Sequence, residues 1–216
     1  MMNLEPITIG IILANVLPSI KGFEDDSFIR KYLFNISAIQ NGQHFRMITS
    51  GFLHADIMHL VFNMLTLYFF ANTVIYSLGP QYFLLIYVAS LLFGNALSYY
   101  FHKNEPHYSA LGASGAVSGV LFAGILLNPT MDMYVMFVPF AVKGYIVGIF
   151  YLVFSIYGMK KQFGNIGHDA HFGGAVAGFI LTLILRPSIL VQETQIVILL
   201  ALPIIALFVL IKSGKI

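Results

Sequence analysis

Ser109-Ala110-Leu111-Gly112-Ala113-Ser114-Gly115-Ala116-Val117-Ser118-Gly119-Val120-Leu121-Phe122-Ala123-Gly124 opens a hydrophobic segment with a Gly-x-Ser-Gly. At the N-terminal end of a membrane helix, a serine hydroxyl lies beside backbone N–H groups that have no intrahelical partner. That end also carries the positive pole of the helix dipole. Such a place suits a developing oxyanion, which makes Ser114 a candidate nucleophile. Gly112 and Gly115 remove side chains on both sides of it, so a second backbone can come close. Small residues with serine are also what tight helix pairs use in membranes, and on this stretch alone packing is the plainer account. The rest of the chain tips the balance.

Of the 216 residues, 58% are hydrophobic and only 9% are charged. Mean hydropathy is +0.84, whereas soluble domains carry about 25% charged residues. These values define an all-α polytopic membrane protein in contact with the lipid bilayer. The net charge of +2 is spread thinly, with no run of Lys and Arg that could hold nucleic acid. With no cysteine there is no disulfide, no thiolate nucleophile and no Cys-ligated metal. Met1 to Pro6 contains Glu5 and no Lys or Arg, so it lacks the basic region of a cleavable signal peptide, and the first apolar segment is expected to be retained.

Crossing about 30 Å of hydrocarbon takes roughly 20 residues at about 1.5 Å each. Seven stretches meet or approach this length: about Ile7–Ile20 with Pro18 inside, Phe52–Tyr76, Gln81–Phe101, Ala113–Leu127, Gly144–Met159, His168–Leu185, and Gln195–Lys212 with Pro203 inside. They are read as one domain over 1–216. Lys21 to Thr49 mixes charges with Phe23, Phe28, Tyr32 and Phe34, and reads as a structured interfacial loop with short amphipathic pieces. Leu78-Gly79-Pro80 is a turn that makes spans two and three an antiparallel pair.

Spans two, four and six are separated by two crossings each, so their N-terminal ends lie on one side of the membrane. His54, His59 and Asn63, then Ser114, then His168 and His171 sit near those ends. Polar groups at membrane depth are costly and are functional by default. In span six, His171 shares a helical face with Gly174, Ala175 and Gly178, and span four offers its own Gly115-x-x-x-Gly119. If those stripes face each other, His171 can reach the Ser114 hydroxyl and act as the base a serine nucleophile needs. His59 and Asn63, at i and i+4, share a face and can supply donors to an oxyanion beside the Ser114 amide. Plainer roles are open to the rest. His54 is an interfacial hydrogen-bonding group or a site residue, His168 a donor to a loop carbonyl, and Ser118 returns its hydroxyl to a backbone carbonyl. Asn72 and Asn95 are interhelical partners, and Arg46 bridges loop carbonyls or head groups. Asp169, two residues from His171, points elsewhere on a helix, which favours a dyad over a triad.

From about Arg46 to Pro187 the chain resembles the rhomboid intramembrane serine proteases. His54-Ala55-Asp56-Ile57-Met58-His59-Leu60-Val61-Phe62-Asn63 is similar to that family's His-x4-His-x3-Asn segment, Gly112-Ala113-Ser114-Gly115 to its Gly-x-Ser-Gly, and Ala170-His171-Phe172-Gly173-Gly174 to its Ala-His-x-Gly-Gly. The resemblance implies a six-helix core, here about 7–187, with an additional C-terminal helix at about 195–212. It implies peptide-bond hydrolysis by a Ser114–His171 dyad without metal or cofactor, with His59, Asn63 and the Ser114 amide as oxyanion hole and His54, Gly112, Gly115 and His168 in support. Substrates would be transmembrane proteins, and a gate would lie at Lys160 to Gly167.

Two departures stand out. Phe45-Arg46 replaces the family's usual Trp-Arg, and Ser118 stands where some members have a tyrosine packed on the catalytic histidine, so His171 is expected to have different neighbours here. Family topology puts the N-terminus in the cytoplasm. That leaves only Lys143 and Arg186 inside, against the positive-inside rule. A bacterial cytoplasmic membrane fits the compact architecture. Zinc or aspartyl intramembrane proteases are excluded by the lack of a His-Glu-x-x-His segment and of paired membrane aspartates. Two other readings are a metal carrier using His54, His59, His168 and His171, and a catalytically inactive relative that binds membrane helices.

Overall fold

The computed structural model describes residues 4–135, 138–161 and 166–216. Eleven helices occur among them: α1 (Pro6–Glu24), α2 (Asp26–Tyr32), α3 (Ile36–Gln40), α4 (Arg46–Thr49), α5 (Ile57–Leu78), α6 (Pro80–His102), α7 (Ser114–Leu127), α8 (Gly144–Lys161), α9 (His168–Leu185), α10 (Ile189–Gln192) and α11 (Thr194–Lys212). The seven long ones fall on the seven expected spans. Five of them, α1, α5, α6, α9 and α11, are long and apolar enough to cross a membrane, and α7 is shorter. Leu13 and Leu17 on α1, Phe69 on α5, Phe150 on α8 and Phe208 on α11 are exposed apolar side chains, as a helix bundle solvated by lipid requires.

The bundle is organised around α7, where every residue from Gly115 to Leu126 is buried. Its glycine, alanine, serine and valine content explains this. Small side chains let α5, α6, α8 and α9 close on it from all sides, and a helix that is apolar all round belongs in a core. Fourteen residues rise only about 21 Å, well short of about 30 Å of hydrocarbon. One end of α7 must therefore lie below the membrane surface, and whatever stands there needs its own access to water.

Span two begins later than its hydropathy suggests. Hydropathy places its start at Phe52, but Ser50–Phe52 is a turn of 3₁₀ helix, Leu53 is extended, and α5 starts at Ile57 because the Asp56 carboxylate accepts the His59 N–H at 2.8 Å. His54 thus lies in the connection before the helix. At the other end, Gly79 turns the chain into α6 with φ +104, a region that favours glycine. Span one runs longer than expected, to Glu24, and accommodates Pro18 within the helix.

The interval from Lys21 to Thr49 is folded. Asp25 caps α2 by accepting the Ser27 and Phe28 N–H groups, and β1 (Phe34–Asn35) pairs with β2 (Ser109–Ala110) just before α7. Phe34, Ile36 and Ile39 form a small buried cluster against Tyr99 and Tyr108. Arg46 is buried and bridges the loop. Nη1 donates to the carbonyls of Arg30 at 2.9 Å and Leu33 at 2.8 Å, and Nε to Gln43 at 2.8 Å. Asn95 reaches from α6 to the Met47 carbonyl at 2.8 Å. A second small ladder, β3 (Asp132–Met133) with β4 (Val142–Lys143), brackets the loop before α8.

Candidate active site

Ser114 is the first residue of α7 and is half-buried. The turn that delivers it is held from behind. Gly112 N–H donates to the Ser50 carbonyl at 3.0 Å and Ala113 N–H donates to His54 Nε2 at 3.4 Å. Gly112 has φ +135. A Cβ built on it would stand 2.9 Å from His59 Nε2 and 3.6 Å from Ser114 Oγ. The glycine therefore leaves a notch bordered by the serine hydroxyl and the imidazole, within hydrogen-bond reach of His59.

His54 is fully buried, and its tautomer follows from its partners. Because Nε2 accepts from Ala113, the ring is neutral with its proton on Nδ1, which donates to Ser19 Oγ at 2.9 Å. Ser19 in turn donates to the Phe52 carbonyl at 3.2 Å. His54 thus braces the turn ahead of Ser114 and ties it to α1. Its ring meets His59 edge-on, with centroids 5.0 Å apart. Asn63 is buried one turn below His59 and donates to the His59 carbonyl at 3.0 Å. An amide carries two hydrogens, so a second remains to be offered to a bound oxygen.

The glycine stripes do face each other. A Cβ on Gly174 would fall 2.7 Å from the Gly115 carbonyl carbon, one on Gly178 would fall 2.6 Å from Gly119 Cα, and one on Gly115 would stand 3.2 Å from the Ala170 carbonyl oxygen. α7 and α9 thus touch backbone to backbone. This register sets His171, the neighbour of Ala170, at the level of Ser114. The imidazole is half-buried, and the Tyr151 ring of α8 lies nearly parallel to it, centroids 6.1 Å apart and planes 19° apart. This is the different neighbour that the serine at 118 led us to expect. Ser118 Oγ donates to the Ser114 carbonyl at 2.6 Å, as expected, and also meets the Tyr151 hydroxyl.

His168 packs between helices. It is buried against Gly158 of α8, where any Cβ would overlap its ring, and edge-on to Phe154 at 5.4 Å. Asp169 turns away from His171 and lies 3.4 Å from His102 Nε2 on α6, while His102 Nδ1 meets Glu105 at 3.0 Å and its ring stacks on Tyr108. The four histidines proposed for a metal do not converge: among the described residues no group of three His, Asp or Glu is arranged to hold a metal ion. Half of the expected gate at Lys160 to Gly167, 162–165, lies outside the described residues. Sequence reasoning missed Ser19 and Tyr151. A phenol in the middle of an apolar span was the available signal, since a buried tyrosine hydroxyl usually has a partner.

The fold and site define a polytopic helical membrane protein with a serine and a histidine presented by two abutting helices. Residues 41–188 match the Rhomboid domain. The chain is 30% identical over 193 residues to RHOMBOID-like protein 12, mitochondrial, of Arabidopsis thaliana (81% of this chain, 56% of that protein). It is 35% identical over 143 residues to Rhomboid protease GluP of Bacillus subtilis (66% and 26%). It is 29% identical over 136 residues to Presenilin-associated rhomboid-like protein, mitochondrial, of Mus musculus (61% and 36%). The chain therefore belongs to the rhomboid family, spanning between a quarter and somewhat more than half the length of these relatives.

Proposed function

We propose that this protein is an intramembrane serine endopeptidase in which Ser114 is the nucleophile and His171 the general base. The observation that carries the reading is the close backbone approach of Gly115 to Gly174 and Ala170, the chain neighbours of Ser114 and His171 or residues within one turn of them. Ser114 Oγ attacks the scissile carbonyl carbon as its proton passes to His171. The carbonyl oxygen, now an anion, occupies the notch left by Gly112, where His59, Asn63 and the Ser114 amide donate to it. The C–N bond breaks as His171 returns the proton to the leaving amine. Water, activated by the same imidazole, then hydrolyses the acyl-serine and restores the hydroxyl. No metal or cofactor enters any step.

The proposed substrates are transmembrane proteins, in keeping with a nucleophile on a helix too short to reach both membrane surfaces. The whole chain is read as one membrane domain, with α11 added to a six-helix core. A bacterial cytoplasmic membrane is part of the proposal, resting on the Bacillus subtilis relative, while others are named as mitochondrial. The test is labelling of the purified protein by a fluorescent phosphonate, in detergent and in liposomes, beside Ser114→Ala and His171→Ala. Labelling of the wild type that is lost in both variants supports the dyad. An unlabelled wild type with a sharp thermal transition rejects it and moves the assignment to a binder of membrane helices.

A further inference from the structure

The geometry points to Tyr151 as a positioning residue for the proposed dyad, its ring holding the His171 imidazole and its hydroxyl holding, through Ser118, the Ser114 carbonyl. The inference rests on the protease reading for its catalytic meaning, but the contacts stand by themselves. Three groups from three helices meet here: Tyr151 on α8, Ser118 on α7 and His171 on α9.

Hydroxyl bookkeeping gives the chain a direction. Ser118 has one hydrogen, and its bond to the Ser114 carbonyl at 2.6 Å uses it. The Tyr151 hydroxyl is therefore the donor to Ser118 Oγ. The phenol ring has two ring neighbours, Phe122 of α7, tilted to it with centroids 5.8 Å apart, and His171, nearly parallel to it. An imidazole with an aromatic plane alongside it is restricted in rotation about χ2, the torsion that aims its nitrogens. Asp169, the nearest carboxylate in sequence, is turned to His102 and does not do this work. Ser118 is small enough to leave the space that Tyr151 fills. The tyrosine comes from α8, so the alignment of Ser114 and His171, carried by α7 and α9, depends on a third helix that bears neither of them.

Three variants separate the ring, the hydroxyl and simple volume: Tyr151→Phe, Tyr151→Leu and Tyr151→Ala. Fluorophosphonate labelling is followed over a range of probe concentrations, so that maximal rate and half-saturation are read apart. Because misalignment of about 1 Å is worth up to roughly a hundredfold in rate, Tyr151→Leu and Tyr151→Ala are expected to lose about ten- to a hundredfold in maximal rate with half-saturation unchanged. Tyr151→Phe keeps the ring and should recover most of that loss. A second readout is independent of catalysis. Carbethoxylation of His171 by diethyl pyrocarbonate, located by mass spectrometry, should accelerate several-fold in the Leu and Ala variants and not in Phe. If Tyr151→Ala gives no sharp melting transition, Tyr151→Leu decides alone. Wild-type rates in Leu, a change confined to half-saturation, a Phe variant as slow as Leu, or unchanged carbethoxylation would each overturn the inference. An unlabelled wild type whose His171 is nonetheless shielded by Tyr151 would remove the protease reading and leave the contact standing.

Discussion

Gly174→Ala tests the central claim about α7 and α9 most directly. The added Cβ would stand 2.7 Å from the Gly115 carbonyl carbon and 3.0 Å from its Cα, where carbons pack best at about 3.5–4.0 Å. Both atoms it meets are main chain, so no rotamer can yield. The helices must part by about 1 Å at that level, next to Ser114 and His171. Overpacking of this kind costs about 1–3 kcal/mol, and the better helix propensity of alanine returns up to about 1 kcal/mol. The net loss of about 0–2 kcal/mol lowers the melting temperature by no more than roughly 8 °C. The same 1 Å shift is worth roughly a hundredfold in the rate of an aligned reaction. The signature is thus a large loss of fluorophosphonate labelling rate against a small loss of stability. Gly10→Ala, with nothing within 4 Å of its added carbon, serves as the neutral control. Gly173→Ala presses on Gly94 and Phe93 of α6 at 3.0 Å and should fall between the two. Labelling of Gly174→Ala at the wild-type rate would refute the claim that this backbone contact sets the dyad.

Asn63→Ala removes a proposed oxyanion donor and should lower kcat by about a hundred- to a thousandfold with little change in KM on a transmembrane substrate; a change in KM alone would place Asn63 in substrate binding. Arg46→Ala orphans the carbonyls of Arg30 and Leu33. Hydrogen bonds to a charged group are worth roughly 1.5–3 kcal/mol each, so the melting temperature should drop by at least about 5 °C, with faster proteolysis between Lys21 and Thr49; unchanged melting would show that the loop does not need this bridge. A reporter fused to the C-terminus should be active only outside the cytoplasm, as the family topology requires. Arg46 satisfies loop carbonyls, Arg30 lies 3.8 Å from Asp26, and Lys21 and Lys31 lie over the Phe28 and Tyr32 rings, so the cations of the first loop belong to a folded unit. Cytoplasmic reporter activity would invert the orientation.

Much of this arrangement was legible because it depends on counting. Two crossings return the chain to the same side, which puts His59, Ser114 and His171 near one membrane surface, and a four-residue glycine spacing marks a close-packed helix face in the sequence itself. The start of α5 was not legible: hydropathy runs through Leu53, and only the Asp56 cap shows where the helix begins. Ser19 and Tyr151 escaped for a different reason. Which residue of α1 faces His54, and which residue of α8 faces His171, is fixed by helix rotation and crossing. Neither leaves a periodic mark on helices as uniformly apolar as these. The pairing of Phe34 with Ala110 spans the first loop and the residues before α7, and no local pattern announces it.

The burial of α7 also bears on how the membrane acts on this protein. With Gly115 to Leu126 enclosed by other helices, hydrophobic mismatch has no lipid contact through which to tug on the helix that Ser114 opens. A thicker or thinner bilayer pulls first on the exposed flanks of α1, α5, α8 and α11, which answer by tilting. Among these, α8 carries Tyr151, whose ring lies along His171 and whose hydroxyl meets Ser118, so the lipid-facing helix with a direct contact to this corner of the bundle is α8.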